Sequence, residues 1–285
     1  MKKVLLLLLW LALNHMVAAQ TGHYFQTHYK PGNDNYSALS VDIQQDANGI
    51  LYFANRSGIL QFDGRTWTMV PTPAPVYAIS IAHDGTIYAA GSMGFGRIGL
   101  NQENQQTYLS LSDSIRGLGS VLTCKAWGKS VYFLNEYTLL RQDSAGGKPV
   151  WLLNATSTTG LFTGLFEVGR QLYVNTQKQG LMRLDNQKLI PAEEPLGHSH
   201  IVLSEASPDG SHELITTQSS HFFMRRDSTG ITPFLPADSV YLRTNVIVNA
   251  AWITDQMIAL GTLRGGVVFI DAESGQTYDI INYYS

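Results

Sequence analysis

The chain has 285 residues, 44% of them hydrophobic and 14% charged, with a formal net charge of -3. That supplies apolar material for a sizeable core, and it excludes a basic nucleic-acid footprint and a like-charged disordered arm. The single cysteine, Cys124, excludes an intrachain disulfide framework.

In chain order, Met1-Lys2-Lys3 is a short basic start, residues 4–13 are an apolar run, and Val17-Ala18-Ala19 supplies small residues of the kind found at a cleavage site. A run of roughly ten apolar residues falls well short of the about 20 that a membrane-spanning helix needs. Residues 1–19 therefore read as a secretory signal peptide, with the mature chain starting near Gln20 on the periplasmic or extracellular side. No later segment is long and apolar enough to cross a membrane.

From there on, the chain repeats itself. Six times a strand-like run is followed by a Gly- or Asp-containing turn and two further β-rich runs. The third runs end on Asp63, Asn101, Asp143, Asp185, Asp227 and Asp271, at intervals of 38, 42, 42, 42 and 44 residues. A four-stranded unit of about 40–45 residues is the length of a propeller blade. Long windows lack 3.6-residue apolar periodicity, while β-branched and aromatic residues fill the runs. The prediction is an all-β fold spanning residues 20–285: a β-propeller with six four-stranded blades visible, either six-bladed or an incomplete seven-bladed ring. The blades start near 39, 76, 120, 160, 199 and 246. In the first, residues 39–45, 50–55, 59–63 and 66–70 are the strands, innermost first. Between the first two, Asp46-Ala47-Asn48-Gly49 makes a tight turn in which Gly49 takes positive φ and Asp46 or Asn48 caps. Cys124, inside the apolar run Val121-Leu122-Thr123-Cys124, is expected to be a buried, inert thiol.

An antiparallel four-stranded blade places its second-to-third turns, with the links between blades, on one face of the disc. Here those turns are the variable ones, and loops on a rigid scaffold are where recognition usually resides. The predicted ligand-binding residues are Asn55, Arg56, Phe95, Glu136, Tyr137, Lys178, His221 and Arg264, near the central channel. Their mix of amide, charged and aromatic groups suits hydrogen bonding and ring stacking with a neutral polyhydroxylated ligand such as a glycan fragment; the competing reading is ordinary exposed hairpin tips. Other patterns fail. His198-Ser199-His200 has no Asp, Glu or Cys beside it to complete a metal site. Asp46-Ala47-Asn48-Gly49 lacks the later Glu of a calcium loop, and Glu193-Glu194 reads as solvated charge, not as an acid pair across a cleft. Neither a metal nor a cofactor is expected, and no catalytic residue is assigned.

Particular segments resemble a known family. Asp42-Ile43-Gln44-Gln45-Asp46, Gly49-Ile50-Leu51-Tyr52-Phe53-Ala54-Asn55 and Gly58-Ile59-Leu60-Gln61-Phe62-Asp63-Gly64-Arg65-Thr66-Trp67 are similar to the first blade of Bacteroidetes two-component-regulator propellers. Tyr88-Ala89-Ala90-Gly91-Ser92-Met93-Gly94-Phe95-Gly96 is similar to their second. The resemblance implies a periplasmic ligand-sensor domain, with further propeller sequence, a β-sandwich, a transmembrane helix and a histidine kinase or LuxR-type output downstream. None of those segments is found here, so the expectation is the input end of a regulator, a binding domain and not an enzyme. Its expected partners are a small molecule or oligosaccharide and, as a further candidate, a second copy of the chain. Nucleic acid is not expected at this part, and a membrane only through such downstream segments. The alternatives are a secreted propeller hydrolase or lyase acting on polysaccharide, and a protein-interaction platform.

Overall fold

The computed structural model describes residue 27 and residues 29–31, 36–143 and 146–282; the signal-peptide reading of residues 1–19 lies outside them. The chain divides into two units, residues 1–34 and 35–285. The second unit contains six four-stranded antiparallel sheets in which sequence neighbours pair in order. They form a ring, a six-bladed β-propeller. The blades span residues 40–71, 76–110, 123–154, 162–191, 201–234 and 247–281. Among the described residues, no helix is long and apolar enough to cross a membrane.

The strands form where β-branched and aromatic residues can be covered, because consecutive sheets pack face to face. The third strand of blade 1, Gly58–Phe62, and the second strand of blade 2, Ile87–Gly91, are buried along their whole length. Turn chemistry sets their limits. Gly49 takes φ 84°, and the Asp46 carboxylate accepts from the amides of Asn48 and Ile50, both at 2.9 Å. The same Asx device recurs at Asp84 and Asp209.

Each junction between consecutive blades, from 1–2 to 5–6, is held twice. One device is an apolar cluster. Val76 and Ile79 meet Tyr52, Ala54 and Ile59; Phe95 meets Phe133 and Leu140; Leu134 and Leu139 meet Phe162 and Leu172. Val168 and Leu181 then meet Ile201 and Ile215, and Leu214 and Met224 meet Ile258 and Val268. The other device is a polar pin from one blade to the next. The Ile79 amide donates to Asp42 Oδ2 at 2.7 Å, and the Ala126 amide to Ser80 Oγ at 2.8 Å. Trp127 Nε1 donates to the Arg170 carbonyl at 3.2 Å, the Gly169 amide to Glu213 Oε2 at 2.9 Å, and Trp252 Nε1 to the Glu205 carbonyl at 2.8 Å.

Among the described residues, one element is not a strand. Residues Ser239–Asn245 form a short helix in the link between blades 5 and 6. Leu242 anchors it in the cluster between those blades, and Tyr241 Oη donates to the Gly265 carbonyl at 2.9 Å. Two turns are too short for apolar periodicity to show in the sequence.

Candidate functional site

The innermost strands of the six blades are Ser40–Gln45, Val76–Ile81, Thr123–Trp127, Phe162–Val168, Ile201–Ala206 and Ile247–Thr254. Together they line a central cavity of about 280 Å³. Five of them carry a β-bulge at the same place: the register slips between Ser40 and Asp42, Val76 and Ala78, Phe162 and Gly164, Ile201 and Leu203, and Ile247 and Asn249. A bulge leaves one residue unpaired and re-aims its side chain. The residues so released are Val41, Tyr77, Thr163, Val202 and Val248, and in blade 3 Leu122 stands at the equivalent step. All are exposed, and the apolar ones line the cavity. They lie beside the ends of the second strands, so this apolar collar surrounds the channel on the face of the second-to-third turns.

Below the collar the lining turns polar. Asp42, Gln44, Ser80, Lys125, Glu167, Ser204, Glu205 and Asn249 contribute. Asp42 Oδ1 accepts from the Ile43 amide at 2.8 Å, while Oδ2 takes the Ile79 pin. Burial raises the Asp42 carboxyl above its ordinary value, opposed by these hydrogen bonds and by the Lys125 ammonium. Desolvation pushes Glu205 up to about 7; Lys125 counters this, and Asp42 and Glu213 reinforce it. One lysine thus acts on two carboxylates of different blades. Cys124 in the same strand is buried, and burial pushes its thiol far above the usual range, which disqualifies it as a nucleophile.

The Glu205 shift predicts a pH dependence. The unfolded carboxyl titrates near 4.5, while the folded one holds its proton to about 7. Its contribution to stability is therefore complete below the unfolded value and is lost as pH rises through 7. Glu205→Gln removes that titration. In melting curves taken across this range, the variant is expected to gain on the wild type as pH rises, and parallel curves would contradict the assignment.

The residues singled out from the sequence lie elsewhere. Phe95 is fully buried and stacks on Phe133 with centroids 3.9 Å apart, so it belongs to the core between blades 2 and 3 and not to a ligand site. Asn55 is 1% exposed. Its Nδ2 donates to the Ser37 and Leu39 carbonyls, and its Oδ1 accepts from the Ser57 amide; it builds the turn. Arg56, Glu136, Tyr137, Lys178, His221 and Arg264 are exposed at turn tips of that face. Lys178 Nζ donates to the Ser157 carbonyl at 2.8 Å, and His221 Nδ1 lies 3.2 Å from Ser219 Oγ. None of the eight lines the channel cavity. A neighbouring hollow of about 550 Å³ is formed instead by Thr163, Asn175, Gln177, His200 and Gln218, among others. The channel residues Tyr77, Lys125 and Glu205 were not singled out from the sequence. For Lys125 and Glu205 the signal was a charge inside a mostly apolar inner strand, as in Val121-Leu122-Thr123-Cys124-Lys125-Ala126-Trp127.

Fold and channel together define a six-bladed propeller whose bore is apolar at one mouth and charged within. No protein-family model and no curated protein matches the sequence. Solved structures do match. The extracellular domain of the hybrid two-component system BT4673 from B. thetaiotaomicron aligns at TM-score 0.64 and 17% identity, covering 92% of this chain and 35% of that one. This chain thus spans about a third of that ectodomain. The Cps50 (Swd1) propeller of Myceliophteria thermophila aligns at TM-score 0.61 and 13% identity, covering 86% of each chain. Virginiamycin B lyase from Staphylococcus aureus aligns at TM-score 0.62 and 12% identity, covering 86% of this chain and 83% of the lyase. At such identities the likeness is one of fold, shared among the extracellular domain of a two-component system, the Cps50 (Swd1) propeller and a lyase.

Proposed function

We propose that this chain is an extracytoplasmic ligand-binding domain of a bacterial sensor, taking a small molecule into the collared mouth of the central channel. The observation that carries the reading is the repeated bulge. Residues of all six blades converge on one opening, which is the geometry a single small ligand needs in order to touch the whole ring. Tyr77 offers a half-exposed ring for stacking, while Gln44, Lys125, Glu205 and Asn249 offer donors and acceptors; a carbohydrate fits that combination. The likeness to a two-component ectodomain and the N-terminal sequence favour an exported input module.

The test is a thermal-shift screen of residues 20–285 against neutral oligosaccharides. A ligand at 100 times its Kd stabilises by about 2.7 kcal/mol, and that shift is expected to vanish in the paired variant Tyr77→Ala/Lys125→Ala. Chemical turnover of the saccharide would replace the sensor reading with the enzyme one. Stabilisation by a protein partner alone would replace it with the platform reading.

A further inference from the structure

Three of the chain's arginines meet in one groove, although the chain as a whole is acidic. The groove runs between blades 3 and 4 on the face opposite the collar. Its volume is about 510 Å³, and Trp127, Tyr132, Arg141, Arg170, Gln171 and Arg183 dominate its walls, with Asp185 the single carboxylate in the lining.

Each side chain is placed by the sheet. Arg141 stands across the strand pair from Tyr132, and Trp127 meets Tyr132 edge-on at 6.0 Å. Trp127 also pins the Arg170 carbonyl, which fixes the turn that carries Arg170 with φ 64°. Arg183 Nη1 donates to Gln171 Oε1 at 2.9 Å, a neutral partner. Arg141 Nε lies 3.2 Å from Asp143 Oδ1, but that carboxylate oxygen also accepts from Ser130 Oγ at 2.8 Å. The Arg170 side chain makes no hydrogen bond or ion pair among the described residues. Two guanidiniums thus face the groove with no carboxylate of their own, beside a half-buried indole.

We propose that this groove binds a ring-borne carboxylate, its oxyanion held by Arg170 and Arg183 with Arg141 behind them, and its flat face against Trp127. Planar forked donors match a carboxylate two bonds at a time, and an indole offers a surface on which a sugar or aromatic ring can stack. Two sources carry that chemistry, acidic saccharides and aromatic acids. The site shares no residue with the channel cavity, so its failure leaves the channel reading standing, and the reverse holds as well.

The test is calorimetric titration of residues 20–285 with trigalacturonate, benzoate, the neutral galactotriose and inorganic sulfate. Saturable binding of trigalacturonate or of benzoate is expected, and which of the two binds names the source. Arg183→Gln and Arg170→Asn, the latter keeping a residue tolerant of positive φ, are each expected to weaken it about tenfold or more, as loss of a charge-assisted bond does. Melting temperatures of both variants should match the wild type. The proposal is overturned if neither acid binds, if galactotriose or sulfate binds as tightly, or if both variants retain full affinity while folded.

Discussion

Phe133→Ala is expected to destabilise the ring by about 3–5 kcal/mol, the range for a large buried aromatic. Phe133 has no exposed surface. It stacks on Phe95 at 3.9 Å and 16°, meets the Tyr88 ring edge-on at 6.2 Å, and sits with Val121, Cys124, Val131 and Leu140 in the core between blades 2 and 3. The surrounding strands are held by their own ladders and by the Ser80 pin, so the space left by the ring cannot collapse and the cavity cost adds to the transfer cost. Urea titration should show a lower midpoint with an unchanged slope. Phe133→Leu, which keeps most of the volume, should lose less. A midpoint equal to the wild type's would mean that this junction is not the packed core described.

Glu213→Ala is expected to cost a similar amount, about 3–5 kcal/mol, for an electrostatic reason. Glu213 is 3% exposed, and its carboxylate accepts three hydrogen bonds: from Arg225 Nε at 2.7 Å, Gly169 N at 2.9 Å and Ser204 Oγ at 2.6 Å. Removing it strips a largely buried guanidinium of its inner partner and leaves a blade 4 amide without an acceptor. Arg225 keeps Asp227 and the Gly210 carbonyl, which limits the loss. In a double-mutant cycle with Arg225→Ala, the pair should recover part of the cost, because no charge then lies stranded. A loss below about 1 kcal/mol, the range of an exposed pair, would contradict the buried-network account.

The architecture was legible because it is local and repeated. Gly49 and the Asp46 cap could be read from four residues, and the Asp or Asn closing each third run gave the blade period. What could not be read was anything depending on a register slip or on ring closure. The bulge at Val41 or Tyr77 adds one residue to a run that still looks like a strand. Lys125 and Glu205 are 80 positions apart in sequence and meet only across the bore. Phe95 reads as a loop residue in the sequence because Gly94 and Gly96 flank it. Yet the third strand of blade 2 begins at Gly94. A Cβ on Gly96 would come within 2.4 Å of the Leu109 carbonyl and 2.5 Å of the Tyr108 ring. That glycine serves sheet packing, not a flexible tip. Asn55 shows a related limit: an amide at a hairpin looks the same in sequence whether it faces outward or folds back on its own turn, as this one does.

The collar makes the mouth a common property of the ring. Val41 and Asp42 of the first blade line the same opening as Val248 and Asn249 of the last, although they stand at opposite ends of the repeat. The rim is therefore complete only when every blade is in place, and a guest seated there touches the beginning and the end of the repeat at once.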